Sequence, residues 1–317
     1  MKCQGNTIKL ADEYYEEGRQ TFLDNRLEEA IQLIQNAIYL YKQSEVYEKY
    51  VEALNLMGVI YVTMGNELLA MDYYLDGLEC AMEHDCHNII MVFYNNIGSS
   101  YQKLGEHEKA IRYFEKSAKA LEKPECMKEV YYDVRCLVTY INLAAEYSYL
   151  EDYDLAEKYI GLAEQYMEGE KAEIYRYTFL IMKCRLWWMT GKHEAVYEHM
   201  DELLESGIKD TNTSDYVQNM KDLCYLFREM KEYDGWKRIL LDFEKYAKEQ
   251  NSVFYSLIQT EFWIEYYRTI GEEEKYIKLC TEYVELHQEQ EKIFNKERAA
   301  TVDAKILLRE KEAEKSG

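Results

Sequence analysis

The sequence predicts an all-α solenoid of about seven helical hairpins, and three observations support this fold class. One proline and 14 glycines in 317 residues are too few for the many turns of an all-β fold. Hydrophobic residues make up 48% of the chain, which is enough to build a core. A pattern of small and aromatic residues recurs about every 40 residues, as in stacked helical units that cannot bury their apolar faces alone.

The second and third repeats are the clearest. Asn55–Tyr61 reads Asn-Leu-Met-Gly-Val-Ile-Tyr, and Asn95–Tyr101, one repeat later, reads Asn-Asn-Ile-Gly-Ser-Ser-Tyr. Each string is followed at the same distances by a glycine, an alanine and an aromatic residue, which are Gly65, Ala70 and Tyr74 in one repeat and Gly105, Ala110 and Phe114 in the other. The small residue within each string allows the second helix of the unit to approach the first. We expect the alanine to lie opposite it.

The pattern extends more weakly in both directions. One small-residue position per repeat gives positions 18, 58, 98, 144, 183, 224 and 264, with successive differences of 40, 40, 46, 39, 41 and 40. The fifth repeat is degenerate, because Lys183 occupies its small-residue position. The one long spacing contains Pro124, the only proline. Since proline ends a helix and suits the first turn of the next, we predict a break near residue 123, a longer helix from about 125 to 150, and a bend there.

These features divide the chain into residues 1–123 with repeats one to three, residues 124–285 with repeats four to seven, and a charged C-terminal helix over 286–317. In that helix Leu286, Ile293, Ala300 and Leu307 recur every seven residues, which is half of a coiled-coil seam. The helix is either a cap on the last repeat or a projecting helix. In the second case two copies would associate through it, and it would lead to an output domain outside this sequence.

The repeat strings resemble the tetratricopeptide repeat family in its long form, over residues 11 to about 285. In Tyr94-x2-Ile97-Gly98-x2-Tyr101 a tyrosine replaces the family's tryptophan. The resemblance implies a right-handed superhelix whose first helices line a concave groove for a peptide or protein ligand. Long-repeat arrays followed by such a helix resemble the sensor regions of bacterial signalling proteins such as GGDEF diguanylate cyclases. The cyclase's Gly-Gly-acidic signature is absent from the sequence, so no activity carries over.

Candidate groove residues flank the apolar packing positions on the first helix of each repeat. Asn55 and Asn95 stand at the same position of successive repeats, and an asparagine amide can both donate to and accept from a peptide backbone. Alternatively, such asparagines bond to the neighbouring helix, as Asn96 and Asn142 could. The full candidate set is Tyr15, Arg19, Asn55, Asn95, Ser99, Gln102, Asn142, Tyr177, Trp187, Lys221, Tyr225 and Arg228.

Charge argues against two partner classes. The net charge is −22, and the sequence shows no basic stripe, so we expect neither nucleic acid nor an anionic membrane surface as a partner. No apolar run approaches the roughly 18 residues of a membrane-spanning helix. Eight scattered cysteines without a CxxC pair, and without a secretion signal, predict reduced thiols in a cytoplasmic protein.

Chemical motifs are weak. Cys80, His84, Cys86 and His87 lie close together, but core and turn positions are the favoured interpretation over a metal site. Neither a phosphate-binding loop nor a nucleophile elbow occurs. We expect no enzymatic activity, no metal and no cofactor. The favoured function is a peptide- or protein-binding sensor that regulates a bacterial signalling protein, and the alternative is a free-standing scaffold or peptide-pheromone receptor. An unrecognised enzyme would instead show strongly perturbed titratable groups in a closed pocket.

Overall fold

The computed structural model describes residues 2–168, 170–205 and 213–316. Within these ranges the chain forms fifteen α-helices and two short 3-10 helices, without a strand. The predicted all-α class is therefore confirmed. The low glycine and proline content explains it, since few breaks interrupt the helices.

The helices follow one another as seven hairpins, each with a first helix (helix A) and a second helix (helix B). The first four hairpins are α1 (Lys2–Leu23) with α2 (Leu27–Gln43), α3 (Tyr47–Thr63) with α4 (Glu67–Glu83), α5 (His87–Lys103) with α6 (His107–Leu121), and α7 (Tyr132–Tyr149) with α8 (Tyr153–Glu164). The other three are α9 (Arg176–Met189) with α10 (His193–Glu198) and α11 (Met200–Leu204), α12 (Thr213–Met230) with α13 (Tyr233–Gln250), and α14 (Val253–Ile270) with α15 (Glu273–Ser316). The chain divides into two compact units, Met1–Arg176 and Tyr177–Gly317.

The turn between the two helices of each hairpin contains a residue with a positive φ angle. These residues are Asn25, Gly65, Gly105, Glu151, Gly191, Lys231 and Gly271. The successive differences between their numbers, 40, 40, 46, 40, 40 and 40, reproduce the predicted repeat register. Glycine suits this position, as at Gly65 with φ 81°, because the left-handed region is strained for other residues.

Close helix approach depends on the small residues, as predicted, but a different side chain covers them. A Cβ atom added at Gly58 would lie 2.2 Å from the Tyr74 ring, and one at Gly98 would lie 2.6 Å from the Phe114 ring. We expected the alanine of helix B to lie there, but each ring belongs to the residue one helical turn after that alanine. The large ring fits because the glycine leaves a hollow on helix A.

The connection from α6 to α7 differs from the prediction. Residues 122–131 form turns and the 3-10 helix Cys126–Lys128, so α7 begins at Tyr132 rather than near residue 125. Pro124 disfavours helical geometry at the residue before it, and the buried Cys126 packs with Met91 and Cys136 in the core of the first unit. The division at Pro124 falls inside that unit. The bend there stays a prediction.

The second unit has its own core, with Phe227, Trp236 and Phe243 fully buried. α15 packs against α14, and Leu279 contacts this core, so the first part of α15 forms helix B of the last hairpin. Along the expected seam Leu286 and Ile293 are half-buried and Ala300 is exposed, whereas the side chain of Leu307 lies outside the described residues. Association of two copies through α15 stays a prediction.

Tyrosines pack at repeated positions in the first unit. Three stacked pairs each join the end of helix A to helix B of the same hairpin, with ring centroids 5.5 to 5.6 Å apart. The pairs, which occupy equivalent positions of three repeats, are Tyr61–Tyr73, Tyr101–Tyr113 and Tyr147–Tyr159. Packing within the repeats therefore accounts for part of the tyrosine content.

Candidate functional site

Asparagines connect successive A helices in the first unit. α5 lies beside both α3 and α7. Asn96 Nδ2 donates to Asn55 Oδ1 at 2.8 Å, and Asn142 Nδ2 donates to Asn95 Oδ1 at 3.2 Å. All four side chains are half-buried. The structure therefore places Asn142 in the interhelical role that the sequence left open for it.

The same bonds leave two donor groups available. The Oδ1 atoms of Asn55 and Asn95 each accept from the asparagine of the next repeat, which holds both amides in place. Among the described residues, nothing accepts a hydrogen bond from their Nδ2 atoms, and the half-buried Ser99 hydroxyl also lacks a partner there. Asn55, Asn95 and Ser99 thus form a polar surface on α3 and α5, which we call the asparagine face.

Gln102 has an internal role that the sequence did not reveal. Its Nε2 donates to Glu146 Oε1 at 2.7 Å, and His107 Nδ1 lies 2.9 Å from Glu146 Oε2. Glu146 is fully buried, although it is a carboxylate. Its only signal in the sequence is its place directly after the apolar run Leu143–Ala145. A buried carboxylate needs such partners, because desolvation without them is costly.

The two candidate groove residues of the first hairpin, Tyr15 and Arg19, differ in burial and in their contacts. Tyr15 is half-buried and lies edge-on to Tyr41, with ring centroids 6.5 Å apart. Burial, followed by the negative charge of Glu52, raises the pKa of Tyr15 to about 12. Arg19 is exposed and pairs with Glu16 one helical turn earlier, at 3.0 Å. Neither residue joins the asparagine face through a hydrogen bond among the described residues.

The other five candidates belong to the second unit. Tyr177 donates its hydroxyl to the carbonyl oxygen of Leu203 at 2.7 Å, and Arg228 pairs with Glu265. Trp187 packs against the His199 ring at 5.4 Å. Tyr225 lies beneath the Arg228 guanidinium, 5.1 Å from the ring centroid. Lys221 is half-buried and makes no ion pair with a described carboxylate.

A buried ion pair also joins two A helices of the second unit. Arg185 on α9 pairs with Asp222 on α12, and both side chains are almost fully buried. Gln218 Nε2 donates to the second oxygen of Asp222 at 3.2 Å. Sequence reasoning missed this pair, because a single arginine in an apolar helix does not indicate its partner.

Two of the perturbed titratable groups are cysteine thiols in packing positions. Burial raises the pKa of the Cys80 thiol to about 11 and that of Cys184 to about 12. A raised pKa keeps a thiol protonated and poorly nucleophilic. His84 stacks on Tyr47 with ring centroids 3.4 Å apart. In the part of the chain that the structure describes, no three His, Cys, Asp or Glu side chains converge as metal ligands, and no helix could cross a membrane.

Residues 93–120 match the profile of the tetratricopeptide repeat. A Rap protein complexed with competence and sporulation factor is similar in structure, with a TM-score of 0.62 and 16% identity over 88% of this chain and 75% of that chain. Aspartyl phosphate phosphatase F from Bacillus subtilis has a TM-score of 0.59 and 15% identity, over 90% of this chain and 71% of its own. The apo form of the quorum sensor NprR from B. thuringiensis has a TM-score of 0.59 and 15% identity, over 86% and 75%. No curated protein matches the sequence.

At these identities the likeness establishes the fold. The chain therefore has a tetratricopeptide-like repeat fold, with its clearest repeat in the third hairpin.

Proposed function

We propose that the chain is a peptide-binding repeat module that receives an extended peptide, or a segment of a protein, on the asparagine face. The observation that carries the proposal is the hydrogen bonding of the Asn55 and Asn95 side-chain amides. Their amide oxygens are fixed by the next repeat, while their Nδ2 donors have no acceptor among the described residues. Donors held in one orientation lose little conformational freedom on binding, which favours affinity.

The repeat geometry suits recognition of a peptide backbone. Neighbouring helices pack roughly 10 Å apart, and an extended chain rises about 3.3 Å per residue. Asn55 and Asn95 would therefore receive backbone carbonyl oxygens that lie roughly 10 Å apart along the ligand. Because the amides are half-buried, these hydrogen bonds would form in surroundings less polar than water, where they are stronger.

The similar folds support a peptide receptor over the sensor of a cyclase. One of them is complexed with competence and sporulation factor, and another is a quorum sensor. In our proposal the module acts by binding alone and needs no cofactor. Its seven described cysteines are free thiols, which fits a reducing, cytoplasmic location.

The test exchanges the amide donors without removing the acceptors. Asn55→Asp with Asn95→Asp keeps an oxygen for Asn96 and Asn142 but removes both Nδ2 donors. A random hexapeptide library first identifies a binding peptide, whose affinity is then measured by fluorescence anisotropy. Two lost hydrogen bonds of about 1 kcal/mol each predict a roughly 30-fold higher Kd. Thermal melting should show an unchanged Tm.

A matched control carries the same added charge elsewhere. Gln32 and Asn36 are exposed on α2, so Gln32→Glu with Asn36→Asp should bind the peptide like the wild type. Equal weakening by both double variants would show that charge alone is responsible. If no peptide binds, or if the first variant binds normally, the proposal is wrong.

A further inference from the structure

The B helix of the third hairpin carries a stripe of cations that the linear sequence conceals. Four basic side chains of α6, all exposed, form this basic stripe: Lys109, Arg112, Lys116 and Lys119. With about 3.6 residues per turn, they fall within an arc of roughly 80° and span roughly 15 Å along the helix. The expectation of no basic stripe was therefore wrong, because only the helical periodicity gathers these charges on one face.

The basic stripe lines an open depression of about 590 Å³ together with two tyrosine rings. Lys116 Nζ lies 4.4 Å from the ring centroid of Tyr113, and Lys109 Nζ lies 5.5 Å from that of Tyr101. Glu115 also lines the depression and accepts a hydrogen bond from the Tyr147 hydroxyl at 2.9 Å. Three of the four cations, Arg112, Lys116 and Lys119, have no carboxylate of the described chain within ion-pair distance.

The preceding B helix carries the opposite charge at the same positions. One repeat before Arg112, Lys116 and Lys119 stand Asp72, Asp76 and Glu79, which we call the acidic stripe; all three are exposed. α4 contains no lysine or arginine at all. Beside this stripe runs an apolar ridge spaced by seven residues, in which Leu68 is 54%, Leu75 44% and Met82 52% exposed. Neighbouring B helices of one unit therefore carry opposite and matching surfaces.

We propose that these surfaces dock on a second copy of this chain, with α6 of each copy on α4 of the other. Such a pairing is self-complementary under a two-fold axis, as a symmetric dimer requires. Because α4 and α6 run in the same direction within one copy, the two-fold axis lies along these helices, and the docked helices are parallel. This packing brings Arg112 near Asp72 of the second copy, Lys116 near its Asp76 and Lys119 near its Glu79. Both stripes have spacings of four and three residues in the same order, so all three charge pairs come into register in this parallel packing.

Contacts besides the ion pairs are needed, because exposed ion pairs contribute little on their own. The apolar ridge of α4 supplies them, since it would cover the tyrosine rings and the lysine stems of the opposite α6. The net charge of −22 on each chain opposes association at long range. Screening limits this repulsion beyond about 8 Å at 0.15 M salt, whereas ion pairs in contact are screened less. The inference does not depend on the asparagine face.

Sedimentation velocity on the full chain tests the docking at concentrations up to about 0.3 mM, where small interfaces become populated. One triple variant reverses the basic stripe by R112E, K116E and K119E. A second reverses the acidic stripe by D72K, D76K and E79K. We expect a reversible wild-type dimer, at least 10-fold weaker self-association of each triple variant, and association restored in their equimolar mixture.

The control places the same charge change on α13, where Lys237, Arg238 and Lys245 are exposed. The K237E, R238E and K245E variant should associate like the wild type. Circular dichroism verifies the fold of every variant, and restored association in the mixture also requires that both partners are folded. A wild type that stays monomeric overturns the proposal, as does a mixture that fails to associate. Undiminished dimers of both triple variants would overturn it equally.

Discussion

At Gly58 and Gly98 the missing side chain decides how closely two helices pack. The Tyr74 and Phe114 rings occupy the space in which a Cβ atom would stand. An alanine there would force a buried ring to move within a core that has little free volume. Glycine is otherwise unfavourable inside a helix, so its presence at these positions reflects packing rather than helix propensity.

Because the space around each glycine differs, two glycine substitutions should have opposite effects on stability. Gly58→Ala should lower the free energy of unfolding by about 1–3 kcal/mol, because overpacking outweighs the better helix propensity. Gly161→Ala on α8 should raise it by roughly 0.5–1 kcal/mol, because nothing lies within 4 Å of the added Cβ atom. Urea unfolding followed by circular dichroism measures both. Stabilisation by Gly58→Ala would refute the packing role.

Between elements, two ion pairs link successive A helices of the second unit at the same sequence separation. Arg185 with Asp222, and Arg228 with Glu265, each stand 37 residues apart. The first pair is almost fully buried, whereas both members of the second are about one third exposed. Removing one member of a buried pair strands a desolvated charge, and water compensates for the loss at an exposed pair.

The two pairs should therefore respond differently to truncation. Asp222→Ala should destabilise the chain by about 3–5 kcal/mol, and Glu265→Ala by no more than about 1 kcal/mol. Thermal and urea unfolding of both variants give the comparison. Similar losses of unfolding free energy in the two variants would mean that burial does not determine how much each ion pair contributes to stability.

Over the whole molecule, burial changes the titration of the tyrosines. Of the 32 tyrosines, many pack between helices, and burial raises the pKa of Tyr15 and Tyr140 to about 12. The pKa of Tyr73 is also raised, first by burial and then by its neighbour Tyr61. The folded state therefore retains protons that an unfolded chain loses near pH 10.

This difference predicts alkaline unfolding with a defined sign. Stability from these tyrosines should be complete below about pH 10 and should fall as the pH rises from about 10 towards 12, since the unfolded state releases protons first. Tm measured against pH should decline through this window. Tyrosinate absorbance should show fewer groups titrating near pH 10 in the native chain than in urea. Ionisation of all 32 tyrosines near pH 10 while the chain remains folded would contradict this prediction.

The sequence anticipated the repeats better than the site. Matching strings at Asn55–Tyr61 and Asn95–Tyr101 specify local geometry, so the hairpins and their turns followed directly. The sequence offered Asn142 two roles, ligand binding in the groove or a hydrogen bond to the neighbouring helix. Its bond to Asn95 is of the second kind. Gln102 looked like a groove residue but holds the buried Glu146, a contact across 44 residues that no local pattern encodes.

By itself, the sequence determined the fold class, the number of hairpins and their register. These follow from periodicity along one chain, where side chains one repeat apart meet equivalent neighbours. Only the tertiary structure decided which polar groups are used internally and which remain available. It placed the Asn96 amide on Asn55 and the Gln102 amide on the buried Glu146. The reason is physical: hydrogen-bond partners and shared faces depend on distances between helices, and a linear pattern does not contain those distances.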